Sequence, residues 1–158
     1  MLALLLAAST AYGTGFTLPI PKNFHEEGGA SASIKRDGGV MLEQQVKLEL
    51  PGAVTANVIV TAVKEGDIDS ARPAVCEKLA QKRAKDGAAL LKQGVRPTPW
   101  GPACQYEVTA PKKGKQAATR VTIAAAKGKF STITCNYDQR DEGAQQACDE
   151  VVAGFRMD

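Results

Sequence analysis

The chain has a single histidine, His25, and none of its four cysteines stands in a C-x-x-C pair. A nucleophile activated by histidine needs an imidazole held in place by a third group. His25 sits in a polar turn beside Glu26 and Glu27, so it reads as a solvated turn residue and no catalytic residue is assigned. Without C-x-x-C spacing, dithiol redox catalysis and a zinc knuckle both lack their ligand pattern, and no metal site is expected. G-x-S-x-G, G-x-G-x-x-G and a phosphate loop ending in G-K-[ST] are also missing, so no cofactor is expected. Asp67 and Asp69 resemble the opening of a calcium loop. Ala71 and Arg72, however, stand where a ligand and the turn glycine belong, and helix capping is the better reading. Aromatics are only 5%, so the core must come from Val, Leu, Ile and Ala. A net charge of +3 is too mild to call for nucleic acid.

Long apolar runs are missing too. Residues 2–13, LALLLAASTAYG, are uncharged but fall short of the ~20 residues that span a bilayer. They suit the apolar part of a secretory signal peptide over residues 1–13, with cleavage near Ala11 or Gly13. No Lys or Arg lies between Met1 and the run, which departs from that pattern. Residues 14–158 are expected to form one domain, without a transmembrane span once the signal is removed. The cysteines agree with export. An even number without knuckle spacing implies structural disulfides and an oxidising compartment. The expected location is therefore the periplasm or outside the cell.

Several stretches alternate with period two. Phe16, Leu18 and Ile20 alternate next to Pro19, which places that strand at or near an edge. Val40, Leu42, Val46, Leu48 and Leu50 oppose Glu43, Gln45, Lys47 and Glu49. That pattern predicts an antiparallel sheet with one wet face. Pro51-Gly52 turns the chain into a second such strand from Val54. Ala103–Thr109, Ala118–Ala126 and Lys129–Tyr137 complete the set.

Two helices are predicted. The first spans about 69–92, with Cys76, Leu79, Ala80, Ala84, Gly87, Ala88 and Leu91 facing inward and Gly94 as its stop. Gly87 offers an earlier stop. Lys78, Lys82, Lys85 and Lys92 form its outer, solvated stripe. The second helix spans 141–154, with Ala144, Ala147, Cys148, Val151 and Phe155 on one side. The fold class is thus α+β, an antiparallel sheet flanked by two main helices and held by two disulfides. Cys76–Cys104 with Cys135–Cys148 joins each helix to a neighbouring strand without a register change. Cys76–Cys148 with Cys104–Cys135 remains the alternative.

The one tryptophan lies in RPTPWGP, residues 96–102. Trp100, with Pro99 and Arg96 beside it, either anchors a partner or folds back over the core near Cys104.

Phe16-x-Leu-Pro-x-Pro followed by Phe24, and the closing Gly154-Phe155-Arg156, resemble domains of the Mog1/PsbP-like superfamily. That group includes DcrB-like bacterial envelope proteins. Phe24 stands where relatives often carry Trp, and the cysteines are not part of the pattern. The resemblance implies a sheet flanked by helices that serves as a non-catalytic binding or assembly module. The expected partner is a protein or an envelope component, with the oligomeric state open. The alternatives are a small envelope hydrolase with an unlocated carboxylate pair, or an inhibitor or immunity-type protein.

Overall fold

A computed structural model describes residues 10–13, 16–36, 39–62, 69, 71–84, 88–99, 101–126 and 129–157. Asp67, Ser70, Gly87, Trp100 and the first nine residues of the expected leader lie outside them.

Seven strands form one antiparallel sheet, and three short ones form another. The short strands are β1 (Thr10–Gly13), β2 (Phe16–Pro19) and β10 (Arg156–Met157), in the order β1-β2-β10. The main sheet begins with β3 (His25–Arg36), β4 (Gly39–Leu50) and β5 (Val54–Ala62). Helix α1 (Pro73–Ala84) follows. Then come β6 (Leu90–Thr98), β7 (Gly101–Thr109), β8 (Ala117–Ala126), β9 (Lys129–Asp138) and α2 (Glu142–Gly154). The strand order is β3-β4-β5-β9-β8-β7-β6. Thus α1 carries the chain from the middle of the sheet to its far edge, and a meander brings it back. Among the described residues no helix is long and apolar enough to cross a membrane.

The helices lie on opposite faces, as strand register shows. Cys104 pairs with Ile123, whereas Cys135 pairs with Arg120. Ile123 and Arg120 are three apart on β8, so their side chains point to opposite faces. Cys76 and Ala80 of α1 pack with Cys104, Tyr106, Val108, Val121 and Ile123 on one face. Cys148, Val151 and Phe155 of α2 pack with Val58, Ile133 and Cys135 on the other. The disulfides follow these two cores: Cys76–Cys104 fastens α1, and Cys135–Cys148 fastens α2.

Local chemistry explains the helix ends. Pro73 opens α1, where a missing N–H costs no helical bond. Asp141 caps α2, its carboxylate accepting from the Ala144 N–H at 2.9 Å. The α2 stripe of Ala144, Ala147, Cys148, Val151 and Phe155 is buried throughout. Phe155 reaches the small sheet, its ring 5.9 Å from that of Phe16.

One expectation needs correction. Helix α1 does not run to residue 92; its described span is Pro73–Ala84, and Leu90 already belongs to β6. Leu91, assigned to the inner helix face, is 40% exposed. Lys92 rides on β6, not on the helix stripe, while Lys78 and Lys82 are exposed on α1 as a solvated face requires. Tertiary pairing with β7 overrides the local pattern here, because β6 is an edge strand without apolar alternation. Strand β2 is the middle of three strands, and Pro19, its last residue, is paired only with β1, since β10 pairs with Phe16 and Thr17 alone.

Candidate functional site

One cross-strand row links the core to the surface. Register pairs Leu48 with Ala56, Ala56 with Cys135, Cys135 with Arg120, Arg120 with Glu107 and Glu107 with Lys92. The row starts apolar, passes the α2 disulfide and ends in three charges at the β6 edge. Helix α2 covers the apolar end. Past its flank a cleft of about 240 Å³ opens, lined by Lys92, Arg96, Gln105, Glu107, Arg120 and Asp149, with Gln93 and Tyr106 at its side.

The floor of the cleft is a closed ionic network. Arg120 and Glu107 are both buried, at 8% and 7% exposure. Arg120 Nε and one terminal nitrogen donate to Glu107 Oε2 at 3.4 and 3.5 Å. Its other terminal nitrogen donates to Asp149 on α2. The Tyr137 hydroxyl donates to the same Glu107 oxygen, and the guanidinium lies 5.2 Å from the Tyr137 ring centre. Arg120 thereby ties β7, β8, β9 and α2 together. Each buried charge meets an opposite one, as burial at low dielectric demands.

Burial pushes the Tyr137 phenol well above its ordinary value, and the bond to Glu107 pushes it further. Burial also raises Tyr106. A phenol with a raised folded pKa contributes stability that is complete below its unfolded value of about 10. That stability is lost as pH rises toward the folded value. The urea midpoint is therefore expected to fall as pH climbs past about 10. Tyr137→Phe will flatten that fall while lowering the midpoint at neutral pH. An alkaline fall equally steep in the variant contradicts this account.

Two rim cations complete the cleft. Lys92 and Arg96 share its face of β6, both are exposed, and among the described residues neither is in an ion pair. The cleft thus holds three cations, Lys92, Arg96 and Arg120, against two anions, Glu107 and Asp149. Beyond Arg96 the strand ends at Thr98, whose hydroxyl donates to the Gly101 carbonyl and closes the β6–β7 hairpin. Pro99 is exposed in that turn. Of the expected binding residues, Arg96 and Pro99 therefore stand together at this end of the sheet, and Trp100 lies outside the described residues.

A larger hollow of about 560 Å³ lies at the sheet end near Lys113, Lys115 and Arg140. Arg140 is committed there to Asp138, whose carboxyl its hydrogen bonds hold down at about 2. The lysines belong to an exposed turn.

Glu107 and Arg120 were not singled out from the sequence. Both look like wet-face residues beside the apolar Tyr106/Val108 and Val121/Ile123 faces. The available signal was the company of Arg120: Ala118, Thr122 and Ala124 share its face and are small and uncharged. A wet face rarely looks so; a face under a second helix does.

No protein-family model matches the chain, and no curated protein matches it. Solved structures do match in fold. The solution structure of cyanobacterial PsbP (CyanoP) from Synechocystis sp. PCC 6803 is similar at a TM-score of 0.60 and 12% identity, with 100% of this chain and 98% of that chain covered. A crystal structure from Bacteroides thetaiotaomicron VPI-5482 is similar at a TM-score of 0.54 and 11% identity, covering 94% of this chain. The chain spans about half of that protein, 47% of its length. The fold is PsbP-like; at these identities the likeness extends to the fold alone.

Proposed function

We propose that this chain is a non-catalytic binding or assembly module of the cell envelope, DcrB-like in character. It docks a protein partner through the β6–β7 end of its sheet. The carrying observation is the cleft beside β6: a paired ionic floor under two exposed rim cations, Lys92 and Arg96, neither of which is in an ion pair among the described residues. A paired floor keeps the ordering cost of docking low. The rim cations favour a partner that presents carboxylates, and such charges mainly steer association and register. Arg96, Pro99 and Trp100 form the expected contact, Trp100 serving as its apolar anchor.

Two disulfides favour an oxidising compartment, hence the periplasm or secretion. The leader over residues 1–13 belongs to the same reading. Cleavage near Gly13 leaves β2 still paired with β10 through Thr17 and Arg156.

The hydrolase alternative requires a free carboxylate pair. The acids in the cleft, Glu107 and Asp149, are both bonded to Arg120, and Glu107 also accepts from Tyr137. Glu107, so engaged, cannot take a substrate proton without breaking a buried pair.

Co-purification from the envelope fraction tests the proposal. Wild-type chain is expected to retain a discrete partner that Arg96→Glu and Trp100→Ala each reduce at least tenfold, while both variants keep the wild-type melting temperature. Equal recovery by all three, or no partner with any of them, overturns the proposal.

A further inference from the structure

The opposite edge of the sheet carries a second cluster, independent of the β6 cleft. His25 opens β3 and stands directly across from Glu49 on β4, its Nε2 3.6 Å from a Glu49 carboxylate oxygen. Glu27 joins them, and one donor atom from each of the three lies within 4.8 Å of the others. A β-bulge shapes this grouping. The register runs from Glu26–Leu48 straight to Gly28–Lys47, so Glu27 has no partner of its own on β4. In an unbroken ladder Glu27 would face Lys47, a favourable opposite-charge pair. The bulge gives that position to Gly28, whose φ of 139° suits glycine, and leaves Glu27 against Glu49. Bulges commonly re-aim a side chain in this way.

We propose that His25, Glu27 and Glu49 form a binding site for a divalent first-row metal ion, zinc being the best fit. The chemistry follows from the donor set. Hard cations such as calcium take oxygen ligands alone, whereas an imidazole with carboxylates suits zinc-class ions. Three protein donors leave further positions to water. Zinc lies about 2.0–2.2 Å from such donors, so the side chains must close by about half an ångström. Exposed rotamers absorb a movement of that size, and His25 and Glu27 are exposed. The ion would hold two carboxylates that otherwise repel each other. It would also clamp the start of β3 to the end of β4, at the outer edge of the sheet.

The test is calorimetric titration of zinc chloride into the tag-free chain with both disulfides intact. It is read together with the imidazole NMR signals of His25, the only histidine. One zinc per chain is expected, with His25 signals shifting in step with binding. Glu27→Gln, Glu49→Gln and His25→Ala should each weaken binding at least tenfold. Glu26→Gln is the control: Glu26 pairs with Leu48, on the other face, and should bind as wild type does. No heat of binding, unmoved His25 signals, or undiminished affinity in the three variants overturns the proposal. All four positions are exposed or half-exposed, so the variants are expected to fold; unchanged circular dichroism confirms it.

Discussion

Arg120→Met is expected to cost about 3 to 5 kcal/mol. The cost comes from what is left behind. Glu107, 7% exposed, would be left buried without its cation, with the Tyr137 hydroxyl as its remaining described hydrogen-bond partner. Asp149 contributes little to this figure, because its side chain is 63% exposed and solvent screens the pair. Methionine keeps most of the packing against Tyr137, so the loss reports charge rather than a cavity. A partner variant separates the two causes. Adding Glu107→Leu to Arg120→Met should recover most of the loss, since replacing a buried pair with apolar residues is often close to neutral. Urea unfolding measures both, the midpoint shifting with the slope unchanged. A single variant within 1 kcal/mol of wild type, on the order of an exposed pair, contradicts the buried-network account.

Removing both disulfides is expected to have an effect at least as large. Cys76–Cys104 spans 28 residues and Cys135–Cys148 spans 13. Loop closure gives about 3.6 and about 2.9 kcal/mol respectively. Together these rival the whole stability of a typical domain, about 5 to 15 kcal/mol. Full reduction should therefore unfold the chain near body temperature, and the Cys76/Cys104 double alanine variant should be weaker than the Cys135/Cys148 one. The pairing itself has a topological reason. Cys76 and Cys104 lie in the core under α1, while Cys135 and Cys148 lie in the core under α2. A Cys76–Cys148 bond would have to cross the sheet. Non-reducing peptide mapping should recover the two face-specific pairs; a fragment joining Cys76 to Cys148 contradicts the fold.

Much of this architecture was legible in the residues. The alternations in β4, β5 and β9 and the α2 stripe are strong periodic signals, because each element buries one face and wets the other. The β6 strand was illegible for the converse reason. Leu90–Thr98 is exposed along most of its length, so burial imposes no period on it, and Gly94 and Pro97 argue against a strand. It exists because β7 pairs with it. The buried Glu107–Arg120 pair was hidden by the same alternation that located its strands. Period two says which residues share a face, but not that a second helix covers that face. His25 next to two glutamates looked like a solvated turn; only the β3–β4 register brings in Glu49 from 24 residues away.

Site-specific photo-cross-linking tests the proposed docking end most directly. A photoreactive residue at position 96 lies on the rim of the cleft, and one at position 132 lies on the other face of the sheet, where Thr132 pairs with Ile123. In the native envelope fraction, position 96 is expected to give a discrete adduct and position 132 none. No adduct from position 96, or equal adducts from both, contradicts the placement of the binding surface at β6.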